Sequence, residues 1–452
     1  MMRIEVIVDS VNRQHDGTAS INLMAQGEDH PRQLDISFER LYERCGIPSP
    51  ITLDLLIFGS SCYAIDKTVP RNGSSDNWTR ELEVTVPVSN PDLWENAASE
   101  FERTLGFLSG DIWHFSFTQM PPAPFRRSVR RRRVRRARAI PFRRPDAVCL
   151  FSGGLDSLAG AIDLISSDSV EHILLVGHYD APGPKATQES LMNGIRAAVS
   201  GRADLLQVRV SHRPNAASEH SQRTRSLVFI ALGVYAARAF GPDIPLFAPE
   251  NGLIAMNIPL TPSRVGSCST RTMHPYFLNG LRASLDALGI NNPIVNPFEF
   301  KTKGECILGC SNTRLLQSLA NDSVSCAHPG RRQFWVRRDV DNCGYCVPCI
   351  FRRAALHAAG MDDGQACGID FCTGEMSVSD QLESADDLRA VVDFLRKRKG
   401  VAELSKDVLR ISPVDRVADR AAMALRGYDE IRSLIHDKGT PSLCSAAGIT
   451  RR

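Results

Sequence analysis

Between Ala147 and Ile165 the chain reads as a buried strand, a glycine turn and a helix, and that order restricts the fold more than any other feature. Ala147 to Phe151 is a short uninterrupted apolar run, the pattern of a strand covered on both faces. Leu158, Ile162 and Ile165 then recur at helical spacing. Strand-like and helix-like runs continue to alternate: His172 to Val176, Leu191 to Val199, Leu205 to Val210 and Arg225 to Phe240. This rhythm predicts an α/β fold, a doubly wound parallel sheet with helices on both faces.

The turn inside the first unit is Ser152-Gly153-Gly154-Leu155-Asp156-Ser157. Glycines let backbone approach an anion without a Cβ in the way. The N–H groups and dipole of the following helix favour a phosphate there, and Ser152 and Ser157 add hydroxyls. No Gly-Lys-Ser/Thr follows, so this is not a Walker loop. It is neither Gly-x-Gly-x-x-Gly nor the Gly-x-Ser-x-Gly of a nucleophile elbow. The hexapeptide resembles the PP-loop of ATP pyrophosphatases, which implies ATP with Mg²⁺ as cofactors and a cradle for the departing pyrophosphate. A plain strand-to-helix turn is the bland alternative.

Thirteen cysteines are spread along the chain, mostly in apolar segments, as reduced thiols of a cytosolic protein are. Cys343, Cys346 and Cys349 stand apart: three thiols within seven residues, with Gly344 and Pro348 to turn the backbone around one ion. Cys326 can supply a fourth ligand, with His328 as a substitute. Four thiolates suit structural Zn²⁺; an iron–sulfur cluster is the rival, because the same spacing occurs in ferredoxins, and three buried reduced thiols with no metal is the remaining reading. Arg352 and Arg353 could offset part of the thiolate charge.

The glycine loop together with Cys326, Cys343, Cys346 and Cys349 resembles the QueC-like family of 7-cyano-7-deazaguanine synthases. The resemblance covers roughly residues 146 to 360 and implies an adenine nucleotide alpha hydrolase-like PP-loop fold. It also implies an enzyme that adenylates a 7-deazaguanine carboxylate with ATP, releases pyrophosphate and transfers the acyl group to an amine. Arg225-Ser226-Leu227-Val228-Phe229-Ile230 looks like the family's Arg-Asn-x-x-Phe-Leu helix, with Ser226 in place of Asn. Lys303-Gly304-Glu305, after Asn296-Pro297, looks like its Lys-x-Glu. Ser152, Gly153, Gly154, Leu155, Asp156 and Ser157 then bind the nucleotide. Asp156 holds Mg²⁺ or orients the loop, and Arg225 and Lys303 neutralise phosphate charge. The synthases are shorter and lack an added N-terminal domain. The segments Pro249 to Ile254 and Gly266 to Pro275 depart from them and look like the QueC-like component of the Qat anti-phage system. That likeness implies a partner protein's N-terminal amine as acceptor, whereas the synthases use ammonia. A PP-loop enzyme that modifies tRNA and a non-catalytic ATP-dependent scaffold are the other readings.

The remaining sequence is less specific. Residues 1–124 read as a strand-rich α+β domain: Ile4, Val6 and Val8 alternate, as do Leu82 to Val88 and Trp113 to Phe117, with one helix starting at Asn90-Pro91. They offer no catalytic constellation. Residues 125–145 form a linker, and between Arg126 and Arg144 lie eleven arginines and no acid. A solvated basic linker or edge strand is the default for such a run; binding of nucleic-acid phosphate or docking of an acidic protein are the sharper readings. The PP-loop domain with its cysteine site spans 146–375, and 376–452 is a helical extension. There Ser384 and Asp387 approximate a capping box, and Ser412-Pro413 begins a further helix carrying Val414, Val417, Ala421 and Leu425. Glu250 and Asn251, and His178, Tyr179 and Asp180, follow expected strand ends where ligands of α/β sheets bind; a cap of the next helix is the plainer reading for them. The polar run Ser263 to His274 either shapes the acyl site or is an ordinary loop. The first residues lack the apolar core of a signal peptide, and the most apolar helical stretch, Ser226 to Phe240, is too short to span a bilayer. These features predict a cytoplasmic protein with no membrane contact.

Overall fold

The computed structural model describes residues 1–8, 18–46, 49–121, 142–199, 201–212, 219, 221–264, 271–328, 330–364 and 366–450. Most of the arginine run and residues 265–270 therefore lie outside the described residues. The N-terminal part contains β1 (Met2–Val8), β2 (Ala19–Ala25), β3 (Arg32–Ile36), α1 (Phe38–Cys45), α2 (Pro50–Thr68), β4 (Glu81–Val88), α3 (Pro91–Ser109) and β5 (Ile112–Gln119). The alternating part follows as β6 (Ala147–Leu150), α4 (Leu155–Ser166), β7 (Ile173–Tyr179), α5 (Pro182–Ala198), β8 (Ala203–His212), α6 (Arg225–Phe240) and β9 (Leu246–Phe247). Then come α7 (Gly252–Met256), α8 (Pro275–Ala287), β10 (Ile294–Val295), α9 (Lys303–Leu308), α10 (Thr313–Ala320) and α11 (Val347–Ala358). The chain ends in α12 (Asp386–Arg396), α13 (Val401–Ile411), α14 (Val417–Lys438) and α15 (Pro441–Ala446).

One ten-stranded sheet runs β10-β9-β6-β7-β8-β3-β2-β1-β4-β5. β10, β9, β6, β7 and β8 are mutually parallel. Their side chains divide as period two requires. Val148, Leu150, Leu174 and Val176 face α6 in one core, and Ala147, Cys149, Ile173 and Leu175 face α4 and α5 in another. This is the expected parallel sheet covered on both sides.

The N-terminal strands continue that sheet. β8 outlasts its pairing with β7, and its last residues pair antiparallel with β3, Leu34 opposite His212 and Ile36 opposite Val210. The composition break near residue 124 thus separates two stretches of sequence that share one sheet.

Among the described residues three helices, not one, lie among the N-terminal strands. The missing one that matters is α2, buried on nearly every side. It is sandwiched between the sheet and α6, so it is apolar all round and has no polar stripe to give it away. Its C-terminal turn is anchored by charge: Asp66 accepts from Arg80 at 2.9 Å, Ser221 at 2.8 Å and the Arg223 N–H at 3.0 Å. Arg80 also pairs with buried Asp111, so these charges are compensated.

The tail is helical, with different starts. A 3-10 turn at Glu383–Ala385 precedes α12, whose N-cap is Ala385 rather than Ser384. Ser412-Pro413 ends a helix instead of starting one: α13 stops at Ile411, and α14 begins after Arg416, which takes a left-handed φ of 48°. Proline disfavours helical backbone in the residue before it, which makes it a stop as readily as a start. Among the described residues no helix is long and apolar enough to cross a membrane.

Candidate active site and metal centre

β6 delivers the glycine loop to the C-terminal edge of the parallel strands, where open α/β sheets bind ligands. Gly153 takes a φ of +89°, open to glycine and strained for other residues, and Gly154 is the extended N-cap of α4. The Gly154 N–H reaches the Ser152 hydroxyl at 3.2 Å, and the Leu155 N–H reaches Ser325 Oγ at 3.3 Å. Both are at the long end for hydrogen bonds, which an anion could displace. Ser157 donates to Gly154 O at 2.9 Å and fixes the helix start.

Asp156 and Lys303 meet across 147 residues: Lys303 Nζ lies 2.6 Å from Asp156 Oδ1, with both side chains largely buried. Asn251 donates to the other oxygen at 2.7 Å, a contact that no local signal announces. Lys303 is the first residue of α9, and the Glu305 that shares its motif is a helix cap. Thr302 and Glu305 form a capping box, and Arg426 of α14 grips Glu305 at 2.6 Å. Glu430, also on α14, accepts from the Gly304 N–H. The helical tail thus buttresses the turn that carries Lys303.

Arg225 is not part of this pair. It stands at the end of β7, donating to His178 Nδ1 at 3.4 Å and Gln222 Oε1 at 2.9 Å. Burial, then the Arg225 charge, lowers His178 to about 3. It is therefore neutral, and its Nε2 donates to Val210 O at 3.0 Å. Asp180, directly after β7, accepts from Tyr63 of α2 at 3.0 Å.

Glu250 follows β9, its backbone held by Asn296 at 3.2 and 2.8 Å. Thr272 Oγ1 lies 2.9 and 2.8 Å from its two carboxylate oxygens. Burial, with the Asp156 charge adding, pushes its carboxyl up from 4.5 to about 7. A carboxyl raised on folding favours the native state below its unfolded pKa, and that contribution is lost as pH rises through the folded one. Stability is therefore expected to decline between pH 4.5 and 7, and Glu250→Gln to flatten that decline in denaturant titrations across the range. An unchanged pH profile in the variant would refute the assignment.

His274, at the end of the polar run, is fully buried and caps α8, accepting from the Tyr276 N–H at 3.2 Å. Arg271 lies over the Phe107 ring at 4.4 Å and donates to Phe107 O at 2.7 Å. Of this run, the Thr272 side chain and the Met273 backbone reach Glu250, and residues 265–270 lie outside the described ones.

The sulfurs of Cys326, Cys343, Cys346 and Cys349 all lie within 4.8 Å of one another, and those of Cys343 and Cys349 are 3.8 Å apart. A tetrahedral ion with Zn–S bonds of about 2.3 Å separates its sulfurs by about 3.8 Å. The group could hold a single such ion, and a cluster with sulfides between its irons would spread the thiolates further. Cys343 and His328 donate backbone N–H groups to Cys326 Sγ at 3.3 and 3.2 Å, and Cys346 donates to Cys343 Sγ at 3.3 Å. The His328 ring packs on Tyr345 instead of joining the four sulfurs. Arg353 pairs with Asp362 and Asp370. Arg352 is buried beside Cys349 and donates to Ser323 Oγ at 2.7 Å.

Gly344 takes a φ of +91°, and a Cβ there would lie 2.1 Å from Ile369 O. Gly344→Ala is expected to destabilise the fold by at least about 2 kcal/mol and to lower the content of any metal the four sulfurs hold, read by denaturant unfolding and elemental analysis. Wild-type stability and metal content in that variant would show the turn to be adaptable.

Compared with protein-family models, with curated proteins and with solved structures, the chain matches none.

Proposed function

We propose that this chain is an ATP-dependent acyl-adenylate-forming enzyme that activates a 7-deazaguanine carboxylate and passes the acyl group to an amine. The observation that carries the reading is the Lys303–Asp156–Asn251 contact at the mouth of the Ser-Gly-Gly turn. It places a fixed cation beside backbone N–H groups at a helix N-terminus, as a departing pyrophosphate requires.

In this reading a carboxylate oxygen attacks the α-phosphorus of ATP, the bond from that phosphorus to the bridging oxygen breaks, and pyrophosphate leaves. The amine then attacks the acyl carbon, AMP departs, and the amine loses a proton. Both Asp156 oxygens are engaged by Lys303 and Asn251, which suits the orienting role better than Mg²⁺ ligation. The cysteine site, with four protein ligands and no open position, fits a structural Zn²⁺. The acceptor is a partner protein's N-terminal amine, as the likeness to QatC of the Qat anti-phage system suggests. The basic run Arg126 to Arg144 would offer phosphate contacts to a nucleic acid, and cytoplasmic residence accords with the abundance of free thiols.

Incubation with ATP, Mg²⁺ and 7-deazaguanine-7-carboxylate should release AMP and pyrophosphate only when the acid is present. Intact mass of a co-purified partner should then show the added acyl group; a free nitrile made with ammonia would assign the synthase product instead. No AMP under any of these conditions would overturn the proposal.

A further inference from the structure

α2 brings two N-terminal side chains to the crevice over β7 and β8. Tyr63 and Lys67 are one helical turn apart and share a face. Tyr63 is tied to Asp180, and its ring meets the edge of His178 at 5.7 Å. Lys67 sits half-buried beside Asp180 and Arg225. Among the described residues Lys67 Nζ has no hydrogen bond or ion pair, and no carboxylate pairs with Arg225. Of the two carboxylates that act on Lys67, Asp66 is taken up by Arg80, Ser221 and the Arg223 N–H, and Asp180 pairs directly with neither Lys67 nor Arg225. Burial holds the Lys67 ammonium below its usual range, and Arg225 adds to that while Asp180 opposes it.

A half-buried cation without a partner is costly, and a ligand anion relieves that cost. Arg225 is pre-set for such a ligand. His178 and Gln222 hold two of its nitrogens, and its guanidinium lies 5.5 Å from the centre of the Phe229 ring. Phe229 stands edge-on to His178 at 5.2 Å, so the wall is aromatic beside the charge. Gln188 links this corner to the glycine loop, donating to His178 O at 3.2 Å and approaching Ser152 O at 3.5 Å.

We infer that Lys67 and Arg225 form one anion subsite beside the glycine loop, and that it takes the carboxylate of a planar heteroaromatic acid. The assignment of that carboxylate rests on the proposed activity; the anion subsite itself does not. The N-terminal part of the chain is then a wall of the substrate pocket.

Calorimetric titration of the full chain, with a non-hydrolysable ATP analogue present, tests this with two probes: 7-deazaguanine-7-carboxylate and inorganic sulfate. Lys67→Met should weaken acid binding about tenfold or more, the usual scale for a charge-assisted hydrogen bond. Affinity for the ATP analogue should be unchanged, and Lys67→Arg should restore the acid. Among the described residues Lys67 donates no side-chain hydrogen bond for Met to remove, and a matching thermal melt checks the fold. Equal acid binding by wild type and Lys67→Met overturns the inference, as does a wild type that binds neither probe. Loss of the ATP analogue in place of the acid would assign the subsite to a nucleotide phosphate and overturn the carboxylate. Lys67-dependent sulfate binding with no binding of the acid would keep the subsite and remove the deazaguanine reading.

Discussion

Lys303→Met is expected to lower acid-dependent pyrophosphate release by roughly a hundredfold to a thousandfold, the scale of removing one pre-organised charge from a phosphoryl-transfer site. The same change leaves Asp156 with Asn251 as its remaining partner in a largely buried position. Removing one member of such a pair costs about 3 kcal/mol or more of stability. The two effects separate in a double-mutant cycle. Asp156→Asn combined with Lys303→Met should recover much of the lost stability, because neither charge is then stranded, while pyrophosphate release stays low. Denaturant unfolding and a coupled pyrophosphate assay read the two quantities independently. Wild-type turnover in Lys303→Met would remove Lys303 from the chemistry.

The second large effect joins the cysteine site to the glycine loop, the proposed nucleotide site. Val324 donates its N–H to Gly153 O at 2.9 Å, and Ser325 Oγ receives the Leu155 N–H. Asn342 fastens the same segment, accepting from the Ser325 N–H at 3.0 Å and donating to Ser323 O at 3.1 Å. The stretch between Ser323 and Cys326 therefore supports the glycine loop on one side and ends in a metal ligand on the other. If the four sulfurs hold zinc as proposed, Cys349→Ser is expected to lose it along with several kcal/mol of stability, since metal binding free energy is also folding free energy. Amide exchange at residues 153–157 should quicken, and affinity for an ATP analogue should fall about tenfold. Chelation of wild type should reproduce both changes, and added zinc should reverse them. If the metal-free protein kept both its loop protection and its nucleotide affinity, the two sites would be independent.

These expectations rest on contacts of different legibility. The β6–loop–α4 unit was readable because its signals are local. An apolar run, two glycines and a helical period occur within nineteen residues. α6 was equally plain from Arg225 to Phe240, and the spacing of Cys343, Cys346 and Cys349 is itself the constraint that folds them together. α2 escaped because a helix covered on all sides carries no amphipathic stripe. The start of α14 escaped because proline marks a helix boundary without saying which end it is.

The sequence by itself determined that a buried strand would end in a glycine loop at a helix N-terminus, and that Cys343, Cys346 and Cys349 were spaced so that they could share a metal. Those properties live in short stretches of chain, where backbone sterics and ligand spacing act directly. Only the tertiary structure decided which distant groups meet there. It joined Lys303 and Asn251 to Asp156, placed Arg225 with His178 instead, and fixed α9 against α14. It also carried Tyr63 and Lys67 from the N-terminal part to the edge of β7. The physical reason is the sheet: β3 pairs with β8, and that register swings α2 over the ends of the parallel strands. Long-range pairing of that kind is chosen by the packing of whole faces, and no local pattern of residues encodes it.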